Sequence, residues 1–318
     1  MSDGYAALQE SAAVLDLSSR GRIYVTGEDR ARLLHAMTTN HVQQLQPGAG
    51  LYAFFLNAQG RILADAALFC FEDRILLDTE PETRELVFQH LDKFIIADDV
   101  TLDDATDRTF ALGVEGPWAA EKLRSLEAPT PETPYSHMPW GPLTVARESF
   151  TGAPGFRIFG GVEAKAELVS KFTVTADFED ARVVRLEHFK PRYGEDILAT
   201  TLPQETTISK ALHFQKGCYL GQEIVERIRS QGHVNKVLTG LEIETRDPVP
   251  AGIKLTFDEK EVGQVTSSAF SPALGKVVGL GYARLRGIET SRARTLACRV
   301  GIQAAACEVA VHLKPVFP

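Results

Sequence analysis

Apolar residues at Leu86, Val87, Leu91, Phe94 and Ile95 recur on one helical face, so the spacing predicts an amphipathic helix within Glu82–Ile96. Glu28–Asn40 places Ala31, Leu34 and Met37 at threefold spacing behind acidic first-turn residues, which suit a helix N-terminus. Between them, Tyr52–Asn57, Gly60–Asp65 and Arg74–Asp78 read as short strands, with a turn at Asn57-Ala58-Gln59-Gly60. Glu127–Pro142 holds Pro129, Pro131, Pro134, Pro139 and Pro142 and is expected to be an irregular connection. Pro248, Pro250 and Gly252 interrupt the pattern again near Arg246–Gly252. Beyond them Lys254–Phe257, Val262–Ser268, Lys276–Tyr282 and Ala305–Leu313 read as strands on short turns, a small sandwich or barrel. The fold class expected is α+β, with a body over residues 1–245 and a β-rich module over 246–318.

Composition narrows the class. The chain has 318 residues, 44% of them apolar, which is enough for sizeable cores. Its net charge of -8 excludes a generic nucleic-acid coat, because phosphate binding runs on Lys and Arg. No run approaches 18 apolar residues, and the best stretch, Ile62–Phe71, is broken by Asp65, so no membrane span is expected. The opening MSDGYAALQE lacks the basic and apolar regions of a signal peptide. Cys70, Cys218, Cys298 and Cys307 form no disulfide framework, and the last two show no CxxC spacing for a metal. The reading is a soluble, reduced, cytoplasmic protein.

Charge is uneven. Glu72–Asp107 has twelve acidic and three basic residues, and is expected to be a solvated face away from any anionic ligand. Arg182–Lys236 has nine basic and six acidic residues and is the better place for one. Within it lies the densest polar string, Lys216-Gly217-Cys218-Tyr219-Leu220-Gly221-Gln222-Glu223, leading into a short helix that Gly232 stops. Cys218 just ahead of that helix, with Lys216 on its face if the approach is extended, is a candidate thiolate. The alternative is a small buried thiol.

K-G-C-Y-x-G-Q-E resembles the signature of the YgfZ-type folate-binding proteins, relatives of the T-protein (aminomethyltransferase) of the glycine cleavage system. Leu17–Ile23, Leu33–Asn40, Pro47-Gly48, Tyr52–Asp65, Thr201–Glu205, Gly263–Ser268 and Ser271-Pro272 extend the resemblance over most of the chain. It implies ferredoxin-like α+β lobes around a folate-sized opening, followed by a small C-terminal β-barrel. It also implies tetrahydrofolate or a folate derivative as cofactor. The role implied is that of an accessory protein for iron–sulfur cluster assembly or repair, serving iron–sulfur client or assembly proteins, including those that modify tRNA. Direct tRNA binding is a minor expectation.

By the same resemblance Glu187 is the candidate for the pterin edge, where a carboxylate can accept adjacent N–H donors. His188-Phe189 follow it where the relatives have smaller residues, and Phe189, Tyr193 and Phe150 are candidates to stack on the ring. Asp65 is the surviving carboxylate of a pair that T-proteins carry after their G-x-I segment. Tyr219, Gln222, Glu223 and Arg227 complete the folate candidates, while Cys218 and Lys216 are the catalytic ones. The missing second carboxylate and the added K-G-C place aminomethyl transfer of T-protein type second, and a cofactor-free scaffold third.

Overall fold

Strand alternation builds the body. The computed structural model describes residues 2–232, 234–257, 260–284, 295–302 and 305–314. One sheet runs Gly50–Leu56, Ile62–Cys70, Arg74–Thr79, Gly21–Thr26, Thr101–Asp104, all antiparallel. The other runs Thr175–Ala176, Ala13–Asp16, Thr109–Glu115, Gly155–Gly161, Leu143–Ala146, His137–Trp140. Only its Val14↔Thr175 edge pair is parallel among the described residues. A strand's side chains alternate between faces, and this decides what meets between the sheets.

Along Ile62–Cys70, Ala64, Ala66 and Leu68 pack with Ile23, Val25, Leu34 and Val87 under the helices Arg30–Met37 and Arg84–Asp92. Ala67 and Phe69 pack instead with Leu15, Ala111 and Phe159 of the second sheet, where the Phe69 and Phe159 rings lie 5.4 Å apart. Asp65 falls in register with Ala67 and Phe69, and Asp78 with Leu76 of the same layer. On the second sheet Phe156 and Ile158 join the core under the helices Ala119–Ser125 and Lys165–Ser170. Arg157 therefore points the other way, into the layer between the sheets.

The C-terminal module is a closed six-stranded barrel in the order Lys236–Ile243, Lys276–Arg284, Lys260–Ser271, Lys254–Phe257, Thr295–Ile302, Ala305–Lys314. Its first strand starts at Lys236, upstream of the proline-rich boundary read near Arg246, because Val237 to Ile243 pair directly with Ala283 to Val277. Phe54, Leu56, Ile62, Leu186 and Val225 of the body pack against Leu238, Val278, Leu280 and Tyr282 of the barrel.

The expected helices are present but shorter, Arg30–Met37 and Arg84–Asp92, the second entered through a 3₁₀ turn at Pro81–Thr83. The expected irregular connection is interrupted by the strand His137–Trp140, which holds Pro139 at the sheet edge, where proline is tolerated. Asn57–Gly60 is the turn the sequence announced, with Gly60 at φ +68°. A Cβ there would stand 2.8 Å from Ile224 Cβ, on the helix Gln222–Gln231. Gly60 thus serves both the turn and the docking of that helix. Gly60→Ala should destabilise the chain by about 1–3 kcal/mol, read by thermal or urea unfolding. A midpoint unchanged from wild type would show that the turn relaxes freely.

Candidate functional site

A cavity opens where the two sheets and the exit of helix Phe178–Glu187 converge. Its inner chamber, about 50 Å³, is lined by Arg20, Tyr52, Asp65 and Glu80 from one sheet and Glu148, Phe150 and Arg157 from the other. Arg185, Lys190, Arg192, Ile208 and Lys210 close it. An outer chamber of about 440 Å³ shares Tyr135, Glu148, Lys190 and Lys210 with the inner one and extends to Arg147 and Gly152.

Asp78 anchors the floor with a fully buried carboxylate. It accepts from Arg20 Nε at 2.6 Å on one oxygen and from Arg157 on the other. Arg20 also holds Glu80, which pairs with Arg192 at 2.9 Å, while Arg157 reaches Glu148 at 3.1 Å. Asp65 is 6% exposed, and Tyr52 donates to its Oδ2 at 2.5 Å. No protein donor reaches its Oδ1 among the described residues. Burial, then the nearby Glu80 charge, pushes the Asp65 carboxyl up to about 6, against the Tyr52 hydrogen bond and the charges of Arg20 and Arg192. Burial and the Asp65 charge hold Tyr52 protonated well above the usual tyrosine range. The Tyr52 and Tyr135 rings are nearly parallel, 19° apart in tilt, with centroids 6.4 Å apart.

Of the residues singled out in the sequence, the cavity collects Asp65 and Phe150. Glu187 does not line it. Its carboxylate accepts from Tyr5 Oη at 2.5 Å, from Gln9 and from Ser271 Oγ at 2.6 Å, tying the N-terminal helix Asp3–Glu10 to the barrel. Tyr193 and Phe189 pack in the core between body and barrel, and His188 Nδ1 lies 2.9 Å from the Val184 carbonyl.

Cys218 is exposed, as a reactive thiol requires, but Lys216 does not share its face. Lys216 is buried at 5% exposure, and its ammonium donates to the carbonyls of His35 and Thr38 at the end of helix Arg30–Met37. That is a helix C-terminus finding its cation. Burial lowers the Lys216 pKa to about 7. Tyr219 lies under that ammonium, 4.6 Å from ring centroid to Nζ, and Glu223 pairs with Arg227 at 2.9 Å on the exposed face of the next helix. None of Cys218, Lys216, Tyr219, Gln222, Glu223 and Arg227 lines the two chambers. Cys298 and Cys307 lie in barrel strands, and their side chains are outside the described residues.

The acidic stretch also departs from expectation. Asp78 and Glu80 belong to it, yet Glu80 lines the cavity and Asp78 is fully buried, because arginines from three other segments neutralise them there. Sequence reasoning missed Arg20, Tyr52, Glu80, Tyr135, Glu148, Arg157, Lys190 and Arg192. The available signal was a charge on the inward face of an apolar strand, as in Ile75-Leu76-Leu77-Asp78 and Phe156-Arg157-Ile158.

The chemistry of the lining fits a reduced pterin. A buried carboxylate with one oxygen free of protein donors suits an N–H edge, and Tyr135 and Phe150 offer aromatic wall. Asp65 is the residue here that would hold such an edge.

Residues 1–216 match the family model described as the GCVT N-terminal domain, and residues 236–317 match the glycine cleavage T-protein C-terminal barrel domain. An aminomethyltransferase of Thermosipho melanesiensis is 27% identical over 290 residues, spanning 87% of this chain and 79% of its own. One of Pseudothermotoga lettingae is 29% identical over 294 residues, 88% of this chain and 81% of its own. The crystal structure of the glycine cleavage system aminomethyltransferase T from Bartonella henselae superposes with a TM-score of 0.88 at 22% identity, covering 99% of this chain and 88% of that one, a likeness of fold. These relatives overturn the iron–sulfur accessory role expected from the K-G-C-Y-x-G-Q-E string, since they are aminomethyltransferases. Nothing found supports iron–sulfur clients or tRNA. The aminomethyltransferase family uses tetrahydrofolate, so the expected folate cofactor stands with it. Among the described residues no helix is long and apolar enough to cross a membrane. With both of its domain models matched in order and the fold in agreement, the chain belongs to the GCVT family of glycine cleavage T-protein-like proteins.

Proposed function

We propose that the chain is a tetrahydrofolate-dependent aminomethyltransferase of T-protein type. The observation that carries the reading is Asp65, a buried carboxylate facing the cavity between the sheets, with Tyr52 as its one protein donor among the described residues. Tetrahydrofolate, when bound, supplies the amine that accepts the one-carbon unit. This chain's residues do the rest. Asp65 orients an N–H of the cofactor through Oδ1, and near neutral pH it can take up or release a proton at that atom. Tyr52 fixes the carboxylate through Oδ2 and, staying protonated, cannot compete for the proton. Arg20, Arg157 and Arg192 hold the walls in place through Asp78, Glu80 and Glu148, so little reorganisation accompanies reaction. Tyr135 and Phe150 keep water from the ring faces. The Lys216–Glu223 string supports grouping the chain with the YgfZ-type branch by sequence, a matter separate from the reaction.

The test is ammonia release from an aminomethyl group on a lipoyl carrier protein, dependent on added tetrahydrofolate. Wild type should release ammonia stoichiometrically with one-carbon transfer, and Asp65→Asn should be slower on the order of 10²–10⁴-fold. No tetrahydrofolate-dependent ammonia above the protein-free rate would overturn the proposal.

The same carboxyl sets a pH dependence. Its folded pKa, about 6, lies above the unfolded value of 3.8, so the fold binds the extra proton between those limits. The stability that this proton contributes is present below 3.8 and lost as pH rises through about 6. Asp65→Asn should therefore melt no lower than wild type at pH 8. Folate affinity should run the opposite way, falling about tenfold per unit below pH 6 as the acceptor is protonated. A wild-type affinity flat from pH 5 to 8 would remove Asp65 from the cofactor's N–H edge.

A further inference from the structure

The guanidiniums of the inner chamber are all paired with carboxylates, while Arg147 in the outer chamber donates to the Gly155 carbonyl and lies over the Phe156 ring. Arg20 holds Asp78 and Glu80, Arg157 holds Asp78 and Glu148, Arg192 holds Glu80 and Glu82, and Arg185 holds Glu195 and Asp196. Lys190 is different. Its side chain is partly buried and lines both chambers, at the point where they join. Its ammonium donates to one backbone carbonyl, that of Ser149, and among the described residues no carboxylate comes within ion-pair distance of it. An ammonium carries three N–H donors, and one accepting carbonyl leaves two of them without a protein acceptor among the described residues.

Ser149 is itself fixed from behind. Glu115, fully buried at the end of strand Thr109–Glu115, accepts from Ser149 Oγ at 3.0 Å, from the Phe150 amide at 2.5 Å, from the Thr151 amide at 2.8 Å and from the Thr151 hydroxyl. That carboxylate is engaged by the turn it organises and stands beyond ion-pair distance of Lys190, acting on the ammonium only through space. The turn presents the Ser149 carbonyl, and the carbonyl aims the lysine. The next side chain, Phe150, forms cavity wall. An unpaired ammonium held on a rigid support inside a ligand cavity is costly unless the ligand brings a negative charge.

We propose that Lys190 is the residue by which the cavity recognises a carboxylate on its ligand. The proposal rests on the folate-dependent transferase reading, and it adds the charge that the substrates must carry at the chamber junction. Two sources share that chemistry: the glutamyl end of the folate, and a small free carboxylic acid held in the chamber. Burial lowers the Lys190 pKa, while Glu148 and Glu115 act against that shift, so an arriving carboxylate would also secure the ammonium form.

The full-length chain is tested as wild type, Lys190→Met and Lys190→Arg. The first readout is the rate at which the Lys190 amine is reductively methylated, followed by mass spectrometry, with glutarate, acetate or their neutral amides present. Protection by either carboxylate and not by its amide supports the proposal, whether or not the protein binds folate. Equal labelling under all conditions overturns it. The second readout is the affinity for 5-formyltetrahydrofolate and for its glutamate-free counterpart. A loss of about tenfold in Lys190→Met for the glutamyl form alone, recovered in Lys190→Arg, assigns the carboxylate to folate. Unchanged folate affinities, with acetate protection in the wild type, assign it to a free carboxylic acid. Equal loss for both folate forms, together with a lowered melting temperature and no carboxylate protection, marks a structural lysine and overturns the proposal. Wild type that binds neither folate would count against the transferase reading, leaving the labelling result to decide the role of Lys190.

Discussion

The Asp78 carboxylate, with no exposed surface and a guanidinium on each oxygen, is the constraint around which the body is arranged. Asp78 and Arg20 flank one sheet and Arg157 belongs to the other, so the charge cluster joins the two sheets where the apolar layer of Phe69 and Phe159 gives out. Taking these groups out of water costs several kcal/mol per ion, and removing one partner would strand the others. What the cluster contributes is position. It keeps the sheets apart at one end of their interface by filling that end with paired charge rather than closing it with side chains. The cavity is the space that results.

Two other buried polar clasps hold the remaining pieces to this frame. Glu187 collects donors from the N-terminal helix and from the barrel turn at Ser271, so a glutamate expected at a ligand fastens three elements together instead. Lys216 closes the C-terminal end of helix Arg30–Met37 and anchors the string that carries Cys218, whose backbone is tied again by the Leu220 amide to the Ala36 carbonyl at 3.0 Å. The exposed thiol and the cavity belong to different parts of the surface. Much of the polar character of the K-G-C-Y-x-G-Q-E string is thus spent on capping, on a cation over the Tyr219 ring and on a helix-surface ion pair.

The architecture was legible because its determinants are local. Alternation over Tyr52–Asp65, the Asn57–Gly60 turn and the regular short strands after Lys254 each specify a neighbouring piece of backbone. The cavity was only half legible. Asp65 was named through the resemblance to the T-protein pair, but Arg20, Asp78 and Arg157 come from segments far apart in the chain, and no spacing rule links them. Counting charge by segment misled for the same reason. Glu72–Asp107 is acidic along the chain, yet Asp78 and Glu80 meet their cations in space. The signature string misled differently: a polar sequence can be dense because it folds a loop, and only the contacts of Lys216 distinguish that from chemistry.

The ion-pair frame and the one titrating carboxyl are coupled. Asp65 stands near Arg20 and Arg192, and the charge of each pulls its carboxyl down. Both are occupied, Arg20 by Asp78 and Glu80, and Arg192 by Glu80 and Glu82. Burial outweighs them, and Glu80 adds a like charge, so the carboxyl rises to about 6 although arginines are close by. Beside those paired guanidiniums, Lys190 has no carboxylate within ion-pair distance among the described residues. A buried lattice that contributes little net stability therefore fixes both ends of the site's electrostatics: a carboxyl poised to exchange a proton, and an ammonium awaiting a counter-charge.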